Sequence, residues 1–551
     1  MRPPALASVA PRNDAAHGDP LPLPLPERFV IRPGARPRYL QQRLLRKACA
    51  SRRVSEAVWS INQLVHPQRG SALLPTPVSP PPANIAQKAC LQSLGRRVAL
   101  YPCDPVERSD REALYELLKS RDLYDVDSHA REPFCEHRVK ILLGGFKPMD
   151  IGARLSGKAA ALYQDLEHTI ERSEAEMEAA LLCGDMPQVK PYWDPRLRTD
   201  RKLRLRFFDQ LVKLGLGGYR RAIRGKMGLF FLGKKDGWQR MVVDARYPNL
   251  HHRKPPHAAL GTPASLGRLD LSREAEQDDP AVEPWDLHAA SLDLKDGFYQ
   301  FKSKKLAEWF GCEWPETARD FGVSVVWSSE SQSFEPVGED ELLFFCFEGM
   351  PMGWSWALYF CQAALSDAVA ESLANPQDPQ DSSNIAESCD QLPQANPQDC
   401  EGPPPPGLLV DGWPAPQLAK GSPVAAVYVD NAALIATLKV ETQQCLDRLQ
   451  LALQKRGLAY HQLIEPCKCL EFVGLDVDVG RRRLCHKDKR AWRLYKALRA
   501  LLHIGGCLCE NMRSIVGHLN NYFTFCRPGM IVLRHVYTFI QSSIDKGFVK
   551  F

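Results

Sequence analysis

Two short stretches constrain this chain more than any other feature. Ser291–Phe301 reads SLDLKDGFYQF and Val427–Ile435 reads VYVDNAALI. Each holds an apolar run of strand length ending on a carboxylate, Asp293 in the first and Asp430 in the second. A fold that sets two such strand ends side by side presents paired hard-oxygen ligands. Two-metal phosphoryl transfer requires that pairing, because Mg²⁺ keeps part of its shell for substrate phosphates. A lone strand aspartate is ordinarily a turn-former or a paired structural carboxylate, so the flanking residues decide.

In chain order those flanks supply GLFFLGKKDGWQRMVVDARYPN (Gly228–Asn249), then SLDLKDGFYQF, then FEGMPMGWSWALYFCQAAL (Phe347–Leu365). VYVDN, EFVGLDVD (Glu471–Asp478) and NMRSIVGHLNNYFTFCRPGM (Asn511–Met530) follow. Over Gly228–Ile540 this succession resembles the reverse transcriptases of retroelements: fingers hairpin, first catalytic-aspartate motif, PxG-type loop and helix, YxDD hairpin, primer-grip hairpin, thumb helix. The resemblance implies an α+β polymerase right hand, with an antiparallel palm sheet backed by helices, fingers, and a helical thumb. Residues 1–110 then read as a Pro-rich, largely disordered region and 111–195 as a helical N-terminal extension. Fingers and palm occupy 196–485, with 374–423 a disordered insertion, and 486–551 is thumb-like.

The resemblance also implies roles. Asp293 and Asp430 are the catalytic carboxylates holding two Mg²⁺ ions, with the Leu294 carbonyl as a further ligand. Lys234, Lys235 and Arg240 fall where the family places cations over the triphosphate, the alternative being a solvated basic hairpin. Arg240 is the stronger candidate, since a guanidinium grips phosphate oxygens bidentately. Asp296 matches a backbone contact to the nucleotide, and Phe298 an aromatic closing the pocket against a 2′-hydroxyl, hence deoxynucleoside triphosphates; an ordinary core aromatic is the alternative. Met352 and Gly353 match the loop against nucleotide and template base. Tyr428, Phe472, Val473 and Gly474 match primer and template contacts.

The chain departs from the family pattern at Asn431, where a second aspartate is usual, and at Trp356, where a proline is more usual. Asn431 offers one neutral oxygen, so it is a weaker metal ligand, and Mn²⁺ becomes a plausible substitute for Mg²⁺. Cys312–Glu341 and Ala374–Pro423 lengthen the spacing between motifs. The second holds NPQDPQD, NPQDC and PPPP, a composition too polar to offset chain entropy.

The net charge of +6 is modest, but cations crowd Arg196–Lys226 and Arg481–Arg499, which flank the motifs and suggest sequence-independent phosphate contacts with an RNA or DNA template and primer. Arg38–Leu64 reads as one basic helix, an RNA-binding arm or a solvated face, and Leu155–Leu182 as one amphipathic helix. No signal peptide or apolar span of membrane length is evident, and seventeen cysteines suit a reducing compartment, so an intracellular, cytoplasmic or nuclear, location without membrane partners is expected. Cys467-x-Cys469 and Cys507-x-Cys509 lack zinc-finger spacing. No RNase H or integrase domain is expected in the chain.

Three functions compete. The first is an RNA-directed DNA polymerase of retroelement (retrotransposon) origin. The second is a catalytically impaired nucleic-acid-binding protein or relic of that fold, which Asn431 and the insertions favour. A metal-dependent nuclease is the third, and no Glu/His set near the aspartates supplies its base.

Overall fold

The computed structural model describes residues 23, 38–65, 84–100, 106, 108–119, 131–183, 187–234, 236–279, 284–374, 403–525, 527–544 and 546–550. Lys235, residues 375–402 and most of the Pro-rich N-terminal runs lie outside them. The chain is a mixed α+β protein with several small sheets. It forms two compact units, one of Met1–Lys119, Lys487–Leu519 and Leu533–Phe551, the other of Ser120–His486 and Asn520–Val532.

The first unit is helical. Ser109 and Glu112 cap the helix Asp110–Lys119 reciprocally, each side chain bonding the other's backbone N–H. Its Ala113, Leu114 and Leu117 are buried, and it packs on Asp488–Ile504, which buries Leu494, Ala497, Ala500 and Leu501. The basic helix expected at 38–64 is present as Arg38–Val65. Its Glu56 accepts from the Tyr495 hydroxyl, and its Arg53 stacks over Trp492 at 5.2 Å. A second helix, Ile85–Leu100, also forms, so residues 1–110 hold more order than their prolines suggest. The prolines punctuate between helices without interrupting either one.

The second unit is built on strands β1 (Arg131–Glu132), β2 (Gly217–Arg220), β3 (Gly228–Gly233), β4 (Gln239–Asp244), β5 (His288–Leu294), β6 (Leu342–Phe347), β7 (Leu408–Leu409), β8 (Val424–Tyr428), β9 (Asn431–Ala436), β10 (Tyr460–Cys467), β11 (Cys469–Phe472), β12 (Leu475–Asp478) and β13 (Arg483–His486). Three of its helices matter to the site: α1 (Arg201–Lys213), α2 (Ser355–Leu373) and α3 (Lys439–Lys455). The central sheet runs β7-β8-β9-β5-β10 and is antiparallel except for the β7–β8 pair. Its inner strands are apolar on both faces because both faces are covered. On one face Ala290, Leu292, Ala425, Val427, Ala432 and Leu434 meet Phe360 and Ala364 of α2 and Leu446, Leu449 and Leu453 of α3. On the other, Ala289, Ala426, Ala433 and Ile435 meet Leu470, Phe472 and Val477 of the β11-β12-β13 sheet. Elsewhere β3 and β4 form a hairpin to which β1 adds a third strand, and β2 pairs with β6.

Two expectations need correction. The expected helix 155–182 is three, Gly157–Gln164, Leu166–Thr169 and Glu174–Leu182, because Asp165 and Ser173 act as N-caps inside the run. The expected disordered stretch 374–423 is ordered over 403–423. Leu408 and Leu409 pair alongside β8, and Leu408, Leu409, Val410 and Leu418 are buried. A few well-placed apolar residues anchor a Pro-rich connection to a sheet edge.

Candidate active site

The β8–β9 hairpin and the end of β5 bring the two aspartates together. Asn431 stands directly opposite Asp293, and the Leu294 N–H donates to the Asp430 carbonyl at 2.8 Å. Glycine at 297 allows this approach, since a Cβ there would sit 2.7 Å from the Asp430 Cβ. The hairpin turns through Val429 and Asp430, and Val429 takes φ +59°, a conformation costly for a β-branched residue. Buried Gln362 of α2 holds it there. Its Oε1 accepts from the Val429 N–H at 2.7 Å, and its Nε2 donates to the Val427 carbonyl at 3.1 Å.

These strand ends open on a cleft of about 290 Å³. Lys234, Arg240, Asp293, Leu294, Asp296, Phe298, Met352 and Asp430 all line it. Burial, then the charges of Asp430 and Asp296, push the Asp293 carboxyl up to about 7, against the pull of Lys140. Burial also raises Asp430, opposed by the Asn431 amide, Arg240 and His461. Burial lowers Lys234, and Arg240 adds to that. Among the described residues none of these cleft carboxylates or cations forms an ion pair. Two adjacent, raised, unpaired carboxylates suit a divalent cation. No group of three or more His, Cys, Asp or Glu among the described residues is assembled to hold one, so an ion here would complete its shell from water and phosphate oxygens.

The remaining candidates lie outside that cleft. Asn431, Phe472, Val473 and Gly474 line a neighbouring cavity of about 380 Å³, which Asp293 and Gln462 share with the first. Tyr428 is half-buried and packs against both cores. Gly353 sits against β4, where a Cβ would lie 2.3 Å from the Val243 carbonyl, and its own carbonyl accepts from Asn249. Trp356 is buried, with its indole N–H on the Arg253 carbonyl at 2.7 Å. Asn431 Nδ2 donates to Asp430 Oδ1 at 3.0 Å, so the amide takes up one of that carboxylate's oxygens.

Sequence reasoning missed Lys140 and His461, both in the cleft. His461 stands opposite Asp293 on β10, a position that strand pairing alone reveals. Within the Arg196–Lys226 run, most cations have carboxylate partners. Arg201 pairs with Glu316 and Asp320, Arg204 with Glu316, Arg206 with Glu136, Arg220 with Glu348, Arg221 with Glu335 and Glu341, and Arg224 with Glu171. Arg204 and Arg220 are buried in these pairs, whereas Arg201, Arg206, Arg221 and Arg224 keep 39–60% of their side chains exposed.

No helix among the described residues is long and apolar enough to cross a membrane. No family model matches the chain, and no curated protein does. Among solved structures it is similar to the native crystal structure of prototype foamy virus protease–reverse transcriptase, at 15% identity and TM-score 0.31, covering 55% of this chain and 28% of that one. It is also similar to a foamy viral protease–reverse transcriptase dRH in complex with double-stranded DNA, at 14% identity and TM-score 0.39, covering 82% of this chain and 60% of that one. The chain thus spans less than two thirds of the length of either.

Proposed function

We propose that the cleft carries out nucleotidyl transfer of the reverse-transcriptase type, extending a primer on an RNA template with deoxynucleoside triphosphates, in a protein of retroelement origin. One observation carries the reading: Asp293 and Asp430, far apart in sequence, stand unpaired in one cleft with Lys234 and Arg240. In this reading the central sheet is the palm and the β3–β4 hairpin belongs to the fingers. The primer 3′-hydroxyl gives its proton to solvent as its oxygen bonds the α-phosphorus, the bond from that phosphorus to the β-phosphate oxygen breaks, and pyrophosphate leaves with Lys234 and Arg240 against its oxygens. Phe298 stands against the sugar, and Tyr428 with the Phe472–Gly474 turn holds the primer–template duplex. Mg²⁺ bound by Asp293 and Asp430, with the Leu294 carbonyl and weakly Asn431, would lower the pKa of the 3′-hydroxyl and neutralise phosphate charge.

The amide of Asn431 on Asp430 favours a second reading, a reverse-transcriptase-like protein that binds nucleic acid with little turnover. Extension of a primed RNA template in Mg²⁺, and separately in Mn²⁺, separates the two. The polymerase reading expects incorporation that falls by about 10³-fold or more in Asp293→Asn, and a gain in Mg²⁺ for Asn431→Asp. Duplex binding with no incorporation in either metal selects the second reading, and incorporation that survives Asp293→Asn refutes the site.

A further inference from the structure

The cations assigned above come from the β3–β4 hairpin, yet a third reaches the same cleft from a segment that no motif covers. Lys140 opens the short 3-10 turn Lys140–Leu143 and lines the cleft beside Asp293. Its segment is fastened to the hairpin at several points. Arg131 of β1 pairs opposite Leu232, and Val139 bridges Gln239. The buried Gln239 side chain accepts from the Cys135 N–H at 2.9 Å and donates to the Pro133 carbonyl at 2.9 Å. Arg138 Nε donates to the Gly237 carbonyl at 2.7 Å. From the opposite wall, Lys295 Nζ donates to the Gly144 carbonyl at 3.2 Å, two residues along from Asp293.

The Lys140 backbone is therefore pinned between the hairpin and the end of β5. Its side chain is half-buried and has no ion-pair partner among the described residues. Its charge acts on Asp293, Lys234 and His461. A flexible lysine beside other cations ordinarily turns to solvent, because like charges repel in a half-buried site. Here the anchored backbone keeps it close to Lys234 and Arg240, and three cations converging on one cleft match a polyanion better than a single carboxylate does.

We propose that Lys140 binds the polyphosphate of the incoming nucleotide together with Lys234 and Arg240. The inference rests on the nucleotidyl-transfer reading and deepens it, because it assigns part of the substrate site to a segment outside the motif-bearing core. Calorimetric titration of the full chain with dTTP and with inorganic tripolyphosphate, without primer, tests it. Lys140→Gln is expected to weaken both by about tenfold, and Lys140→Arg to retain most of the affinity. In primer extension the same substitution raises KM for dTTP by a similar factor, with kcat and duplex affinity nearly unchanged. The thermal midpoint stays at the wild-type value, which separates lost binding from lost folding. A wild-type protein that binds dTTP and incorporates it, with Lys140→Gln matching it in both, overturns this inference alone. A wild-type protein that binds no dTTP and incorporates none overturns the functional reading, and the inference with it.

Discussion

Along Arg196–Lys226 most of the guanidinium groups face carboxylates, whereas around Asp293 and Asp430 opposite charges share a cleft and leave one another unpaired. Arg220 and Glu348 show the first arrangement at its fullest. They lie 2.7 Å apart with side chains 2% and 7% exposed, and Arg220 Nη1 also donates to the Tyr219 carbonyl. The cleft shows the second, with Asp293 pushed up to about 7 by burial and by its neighbours. A charge density read from sequence thus says little about charge on offer. What separates the two regions is whether each group's partner is built into the fold.

The largest expected effect lies on the paired side. Glu348→Gln leaves the Arg220 guanidinium buried without its counter-charge, and should cost about 3–5 kcal/mol of stability. Urea unfolding with an unchanged m-value would register it; a loss below about 1 kcal/mol would mean that this pair behaves like a surface pair.

On the unpaired side the sign reverses. The folded-state value of Asp293 lies above the ordinary carboxylate range, so its contribution is most favourable below pH 4 and is lost as pH rises towards 7. Asp293→Asn in buffer free of divalent metal should therefore stabilise the protein at pH 8, on the order of 1–2 kcal/mol, and the gain should shrink steadily on acidification. Thermal midpoints across that range would check it. A gain that does not change with pH would show that Asp293 is not held under charge repulsion.

The smallest effect belongs to Arg221. It bridges Glu335 and Glu341 near the surface, and Arg221→Ala should cost less than about 1 kcal/mol, an amount that salt reduces further. A salt-independent loss would place the pair with Arg220 and Glu348.

Much of the central sheet was legible because its strands alternate around two cores. SLDLKDGFYQF and VYVDNAALI carry the apolar pattern and the terminal carboxylates, and it was the resemblance of the flanking motifs that implied the meeting of Asp293 and Asp430. Other features depended on partners far away along the chain. The carboxylates facing Arg201 and Arg221, Glu316 and Glu341, lie over a hundred residues downstream, so the local run of cations looked free. Lys140 falls in no periodic pattern, and its place comes from β1 and Val139 pairing with the hairpin. Leu408 and Leu409 were masked by surrounding prolines and glycines. The breaks at Asp165 and Ser173 are different, since both residues are ordinary helix-capping signals that the longer apolar pattern overshadowed.

The third strand on the β3–β4 hairpin bears on how this molecule can be cut. A fragment trimmed to the recognisable core, beginning near residue 196, would discard β1, the bridge at Val139 and the lysine that follows it. It would expose the β3 edge to solvent and leave the nearby tip held by fewer ties. Inactivity in such a shortened piece would then report on the surgery and not on the full chain.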